Sequence, residues 1–448
     1  MVVTSPIIRI IGFCAIVLAM AQIYSIMSSR SPPPKNRTSF ISDTQRALPW
    51  YKIPHRSIQT STMTSHLSTE QRIQLEHTMT ELAKTRALNV FGDRYKGYIP
   101  GSIIQTQDQA EALRSLVDCW TKGKWVAIED VGSLDPIVHF QDPLYGSCDN
   151  KYYKTHPRPP SRENEQEGLY NVTSSTTNIK GVTPDMYRNA VKYRWKPSCP
   201  LPAETIDTNQ WCQVFKGRHL ALVGDLVHYQ MHELLLDVLR DGPVVCYGEM
   251  SCKEHTICTK PKTTTLTYVR NDLLSPNRHV DKNHGHPSAS IVDWPFVYGH
   301  TIKRNSIFIL NRAPVAENDD TFISQLIQTM QVLRKMKPTA LVIYRSTSIG
   351  HPFCNDAQGP LENPLTDEQR QELPYGWSEQ SRRNKIAKEI IETAGGLYVD
   401  LAAMTDMRPD GHIGGQDCLR YCIPGPLDAW APVLYNVMLG LEGQLPDI

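Results

Sequence analysis

From His219 onward, short apolar runs alternate with amphipathic stretches. "HLALVG" (His219–Gly224) is apolar enough for a strand buried on both faces. The segment after it puts Val227, Met231, Leu234, Leu235 and Val238 on one helical face. "SIFILN" (Ser306–Asn311) precedes a helical pattern near Phe322–Met336, and "ALVIYR" (Ala340–Arg345) precedes one near Ser381–Thr393. "GLYVDL" (Gly396–Leu401) leads through a loop to a last helix near Pro426–Leu439. Strands of four to six residues spaced by helices predict an α/β, three-layer domain with a mostly parallel sheet covered on both sides. Sites in such domains form at the carboxyl ends of the strands. Those ends are Gly224-Asp225, Asn311-Arg312, Arg345-Ser346 and the residues from Leu401. Asp225, at a strand-to-helix turn, is read as a helix cap.

Upstream the pattern changes. Ser68–Leu88 has helical spacing of apolar residues and a Ser-Thr-Glu-Gln start that resembles a cap. Residues 28–66 are rich in Pro, Ser and Thr and are expected to form a flexible stem. Residues 67–200 read as a helical and then irregular, cysteine-bearing segment, and 201–448 as the α/β domain. At the start, Ile10–Met27 carries no charge, and its eighteen residues are at the short end for a bilayer span. Residues 1–27 are therefore expected to be a signal anchor. The alternative is a signal peptide cleaved near Ala19-Met20-Ala21. An anchor predicts attachment to the membrane, with the domain in the lumen of the secretory pathway, in the Golgi. A cleaved signal predicts secretion.

Cysteine usage agrees with a lumenal chain. Ten cysteines follow Cys14, enough for five disulfides in an oxidising compartment. A zinc reading of Cys246, Cys252, His255 and Cys258 lacks a tight Cys-x-x-Cys pair. His228 and His232 have metal-binding spacing but no third ligand nearby in sequence, and His279, His284 and His286 fall in a surface-like loop. No metal or cofactor is expected. Asn36 and Asn171 lie in glycosylation sequons. Lys plus Arg (47) nearly equals Asp plus Glu (46), so no net field draws the chain to nucleic acid.

Acyl transfer needs a nucleophile, a base and donors for an oxyanion. The last loop, "RPDGHIGGQDCLRYCIPGPLDAW", would supply carboxylate and base as Asp-x-x-His, yet it reads Asp417, Cys418, Leu419, Arg420. Here the chain resembles the PC-esterase / trichome-birefringence-like family of SGNH-type (GDSL-like) polysaccharide O-acetyltransferases and esterases. The resemblance is carried by "YRWKPSCPLP", "WCQVFKGRHLALVGD", "DCLRYCIPGPLDAWAPVLYNVML", "CWTKGKWV" and "PLYGSC", and runs from about Cys119 to Met438. It implies that the family's nucleophilic serine falls on Leu226, its triad aspartate on Asp417 and its triad histidine on Arg420. The oxyanion asparagine falls on Asn311. "NRAPV" lacks the glycine and histidine that some relatives carry there.

Leucine has no lone pair to attack a carbonyl, and arginine stays protonated and offers no acceptor. Losing either group of a serine triad costs roughly 10⁶-fold in rate. The expectation is a catalytically inactive family member that binds a glycan or a partner, an active paralogue among the candidates. Arg420 is expected to pair with Asp417, and Asn311-Arg312 either to form a turn at the strand end or to hold an oxyanion or a sugar carboxylate. The alternative is an active acyltransferase or esterase with a rearranged site, using His412 as a relocated base and Ser346 or Ser348 as nucleophile. Trp195, Trp211, Trp377 and Trp430 are read as core or interface fillers rather than sugar platforms.

Overall fold

The computed structural model describes residues 67–129, 139, 148, 187–240, 254–279 and 291–445. The apolar N-terminal segment, the stem, both sequons, Cys246, Cys252, His284 and His286 lie outside them. Among the described residues no helix is long and apolar enough to cross a membrane.

The strands are β1 (Gly123–Ala127), β2 (Tyr193–Pro197), β3 (His219–Gly224), β4 (Glu254–Cys258), β5 (Thr264–Arg270), β6 (Asn305–Leu310), β7 (Leu341–Arg345), β8 (Leu397–Val399), β9 (His412–Gly414) and β10 (Asp417–Tyr421). The longer helices are α1 (Thr69–Phe91), α2 (Gln107–Thr121), α3 (Thr208–Phe215), α4 (Leu226–Leu239), α5 (Asp319–Met336), α6 (Gln380–Thr393) and α7 (Trp430–Leu441). The central sheet has the order β4-β5-β3-β6-β7-β8. β5, β3, β6, β7 and β8 run parallel, and β4 closes one edge antiparallel to β5. The expected α/β architecture with a mostly parallel sheet is therefore present.

Alternation along each strand builds the three layers. Leu220, Leu222, Ile307, Ile309, Leu341 and Ile343 face one core, with α2, α3, α4 and α7 over it. Ala221, Val223, Phe308, Leu310, Val342 and Tyr344 face the other, under α1, α5 and α6. Because both faces are covered, the strands read as continuous apolar runs. Each buried Leu, Ile or Val side chain contributes about 1.5–3 kcal/mol relative to exposure. Helices before residue 200 share these cores: Ala83, Ala87 and Phe91 in one, Leu113, Val117 and Trp120 in the other.

Local chemistry sets the helix starts. Ser68 caps α1 in a capping box with Gln71, as its Ser-Thr-Glu-Gln start predicts. Asp225 caps α4, its Oδ1 accepting from the His228 backbone N–H at 2.8 Å. The last helix begins at Trp430, after a 3₁₀ turn at Pro426–Ala429, later than the apolar pattern suggests.

Four disulfides lie among the described residues: Cys119–Cys199, Cys148–Cys422, Cys212–Cys258 and Cys354–Cys418. Cys258 is thus bonded to Cys212, which removes it from the zinc reading. Among the described residues no three His, Cys, Asp or Glu side chains are grouped to hold a metal ion. Trp211, Trp377 and Trp430 are buried, and half-buried Trp195 donates its indole N–H to the Trp120 carbonyl at 2.9 Å.

Candidate active site

The site is built from the ends of β3, β6 and β7, with the β9–β10 hairpin beside them. Gly224 ends β3 where a Cβ would lie 1.7 Å from Asn311 Oδ1, so only glycine leaves room for that amide. Asn311, buried just past β6, uses this closeness. Its Oδ1 accepts from the Asp225 backbone N–H at 3.0 Å, and its Nδ2 donates to the Arg312 carbonyl at 3.2 Å. Leu226 is the first helical residue of α4 and is 7% exposed. No attacking atom stands at that position.

Asp225 is joined by a group that sequence reasoning passed over. Arg345, 0% exposed at the end of β7, reaches across the end of β6 and donates from Nη2 to Asp225 Oδ1 at 3.2 Å. Its Nε donates to His228 Nδ1 at 3.2 Å, Nη1 to the Ser346 carbonyl at 2.9 Å, and the guanidinium lies 5.0 Å from the Trp430 ring. Burial pulls the Arg345 pKa below its ordinary value, and the Asp225 charge opposes that pull. His228 Nδ1 accepts from Arg345, so its Nε2–H donates to the Ile309 carbonyl at 2.9 Å. Burial and then the Arg345 charge keep this imidazole neutral, its pKa well below the usual value. His232, one turn on, is buried with neither ring nitrogen hydrogen-bonded among the described residues, and its rings of contact are Tyr229, Tyr268 and His255. The i, i+4 histidine pair therefore does not converge on one point.

β10 carries the two remaining positions. Arg420 Nε donates to Asp417 Oδ2 at 2.5 Å, forming the expected pair. The other oxygen of Asp417 accepts from the backbone N–H of Leu419 at 3.3 Å and of Arg420 at 3.0 Å. β10 is tied to α4 by Gln230, whose amide donates to the Tyr421 carbonyl at 2.6 Å and accepts from its N–H at 2.9 Å. Gln230 is one helical turn from Leu226, and Tyr421 is next to Arg420. Leu226 and Arg420 thus flank one clamp.

Arg312 does not face a ligand. It is 0% exposed, and its fork is filled by Glu317, through Nε at 2.9 Å and Nη2 at 2.5 Å, and by Gln325 at 2.6 Å and the Leu273 carbonyl. The oxyanion or sugar-carboxylate expectation is corrected for this residue, because a guanidinium so occupied has no free donor pair. Ser346 Oγ accepts from the Ala402 N–H at 2.7 Å, and Ser348 Oγ is 3.1 Å from Thr405 Oγ1. Both serines are buried, and among the described residues neither hydroxyl is hydrogen-bonded to an imidazole.

His412 is 6% exposed. Its Nε2 is 2.7 Å from His351 Nδ1, its Nδ1 is 3.2 Å from the Arg420 carbonyl, and its ring stacks on Tyr421 at 4.2 Å. His351 Nε2 contacts the Asp406 carbonyl at 2.9 Å. Burial holds His351 down to about 4, and burial with the neighbouring His351 holds His412 well below its usual value. The imidazole pair is thus held between the Asp406 and Arg420 carbonyls, and both ring nitrogens of His412 are engaged, one by His351 and one against the Arg420 carbonyl. His351 lies sixty-one residues from His412 and gave no signal in the sequence.

A family profile described as "PC-Esterase: GDSL/SGNH-like Acyl-Esterase family found in Pmr5 and Cas1p" matches residues 311–437. The chain is 32% identical over 371 residues to xyloglucan O-acetyltransferase 2 of Arabidopsis thaliana, covering 68% of this chain and 86% of that protein. It is 21% identical to trichome birefringence-like protein 25 of Arabidopsis thaliana, over 59% of this chain and 71% of the relative. It is 25% identical to xyloglucan O-acetyltransferase 4 of Populus trichocarpa, over 62% and 79%. With its parallel sheet, its Gly-Asp turn into α4 and its Asp417-bearing closing strand, the chain belongs to the PC-esterase family of GDSL/SGNH-like acyl-esterases.

Proposed function

We propose that this chain is a catalytically silent member of its family, which holds a cell-wall-type glycan or a partner instead of transferring an acyl group. The observation that carries the reading is the pair of replacements around the Gln230–Tyr421 clamp. Leu226 stands at the first position of α4, and Arg420 is ion-paired to Asp417 at 2.5 Å. No group there can be deprotonated to attack a carbonyl, and a guanidinium does not take up a proton. The rearranged-site alternative has less support. Ser346 and Ser348 are buried, Ser346 bonded to Ala402, Asp400 and Tyr398 and Ser348 to Thr405, and both ring nitrogens of His412 are engaged by His351 and the Arg420 carbonyl. The glycan class follows the relatives' names, two of which are xyloglucan O-acetyltransferases. A lumenal, membrane-anchored location in the Golgi fits the disulfides and the apolar N-terminal segment.

The test is direct. Full-length protein is incubated with an aryl acetate, and separately with an acetyl donor and xyloglucan oligosaccharides. Turnover is expected to match a heat-inactivated control. Turnover above that control which disappears in His412→Ala would overturn the silent reading in favour of a relocated base. Saturable retention of xyloglucan or another polysaccharide on an array is the expected positive signal. The double variant Leu226→Ser with Arg420→His is expected to gain weak esterase activity, since Asp417 and Asn311 remain in place.

A further inference from the structure

With the described tryptophans buried or half-buried, Phe353 stands out. It is 39% exposed, the one aromatic among the described residues that joins the exposed large hydrophobic side chains. Its position is fixed rather than accidental. The ring packs edge-on against His351 at 5.6 Å and 72°. The next residue, Cys354, is bonded to Cys418. Two residues on, Asn355 exchanges two hydrogen bonds with Gly415, its Nδ2 donating at 3.0 Å and its Oδ1 accepting at 2.6 Å. The His351 N–H donates to the Cys418 carbonyl at 2.9 Å, so both sides of Phe353 are stitched to the β9–β10 hairpin.

The covalent path sets the distance. Consecutive Cα atoms are about 3.8 Å apart, and the Cys354–Cys418 Cα separation is 5.6 Å. Phe353 therefore lies no farther than about 13 Å, Cα to Cα, from Asp417. One oligosaccharide can touch both.

We propose that Phe353 is a sugar-stacking platform at the rim of the Asp417–Arg420 site, taking the apolar C–H face of a pyranose ring. The inference rests on the glycan-binding reading above and names where in the site the sugar is held. An exposed ring presents a flat π-surface of negative potential, which suits the weakly positive axial C–H face of a β-linked hexose. The disulfide and the Asn355–Gly415 bonds order the loop in advance, which lowers the entropy cost of binding. Phe353 does not act on the reacting atoms; it positions the glycan.

The experiment is titration of the full-length protein with xyloglucan oligosaccharide, followed by calorimetry and by ligand NMR, for wild type, Phe353→Ala, Phe353→Trp and Met336→Ala. Met336, 47% exposed at the end of α5, controls for general loss of apolar surface. Phe353→Ala is expected to weaken binding by about five- to tenfold, with line broadening lost on the sugar C–H protons. Phe353→Trp is expected to restore it, and Met336→Ala and the melting temperatures to stay unchanged. If wild type binds and Phe353→Ala binds equally well, the platform is refuted while the glycan reading survives. If wild type itself does not bind, both fall together.

Discussion

Arg345 shows how much of this site depends on a single buried charge. It is inaccessible, it neutralises Asp225, and it fixes the tautomer of His228. Removing one partner of such a pair leaves the other charge buried and unmatched. Arg345→Ala is therefore expected to lower stability by about 3–5 kcal/mol, read as a shift of the urea midpoint. Arg420→Ala is a milder change. The pair is partly solvated, and Asp417 keeps its two backbone N–H donors, so a loss of about 1 kcal/mol or less is expected. Acid has a predictable sign. His228, His232, His351 and His412 all have folded pKa values pushed below the usual 6.5, His351 to about 4 and His232 to about 3. Below pH 6.5 the unfolded chain takes up protons that the fold refuses, so stability falls as pH drops toward 4. Asp406, raised by burial to about 8, works the other way with a single proton. His139, raised to about 10 because the Asp428 and Asp237 carboxylates outweigh its burial, keeps its full contribution below pH 6.5 and loses it progressively as pH rises from there through 10. With His219 and His255, six imidazoles are lowered, and they outnumber the four carboxylates that burial raises, Asp272, Glu392, Asp400 and Asp406, so the melting temperature is expected to drop between pH 6.5 and 5. His351→Gln is expected to flatten that slope.

At the level of elements, much of the frame was readable. β3, β6, β7 and β8 and their helices follow from apolar runs and 3.6-residue spacing, because each lies between two covered faces. The Gly224-Asp225 turn was legible as cap chemistry, and its cause, the Asn311 amide against Gly224, was not. β5, "TTLTYVR", was overlooked although its β-branched and aromatic residues carry a strand signal. β9 and β10 are three and five residues long, too short for any period to mark them in the sequence. The site residues that escaped, Arg345 and His351, act through partners 120 and 61 residues away, and such distances leave no local pattern. At this scale Gly224→Ala is a sharp test. A Cβ would force Asn311 out, and the variant is expected to lose the Asp225 N–H bond and to be recovered with a markedly lower melting temperature. Replacing Cys354 and Cys418 together by Ser opens a closure of 64 residues and is expected to cost about 2–4 kcal/mol, measured by thermal melting.

For the whole molecule, the two cores are complete in themselves, and Leu226 and Arg420 belong to the rim where the strands end. That separation lets residues at the rim be exchanged without loss of fold. Leu226 is buried at the start of α4, so Leu226→Ser is expected to keep the α/β signature in circular dichroism with a modest drop in melting temperature. The Cys148–Cys422 bridge has a different implication. Its two ends are separated by 274 residues, so during synthesis the first thiol must wait, unpaired or wrongly paired, until nearly the whole chain has emerged. Once it closes, most of the polypeptide becomes a ring. A protease cut anywhere between those cysteines will then leave one band on a non-reducing gel and two after reduction.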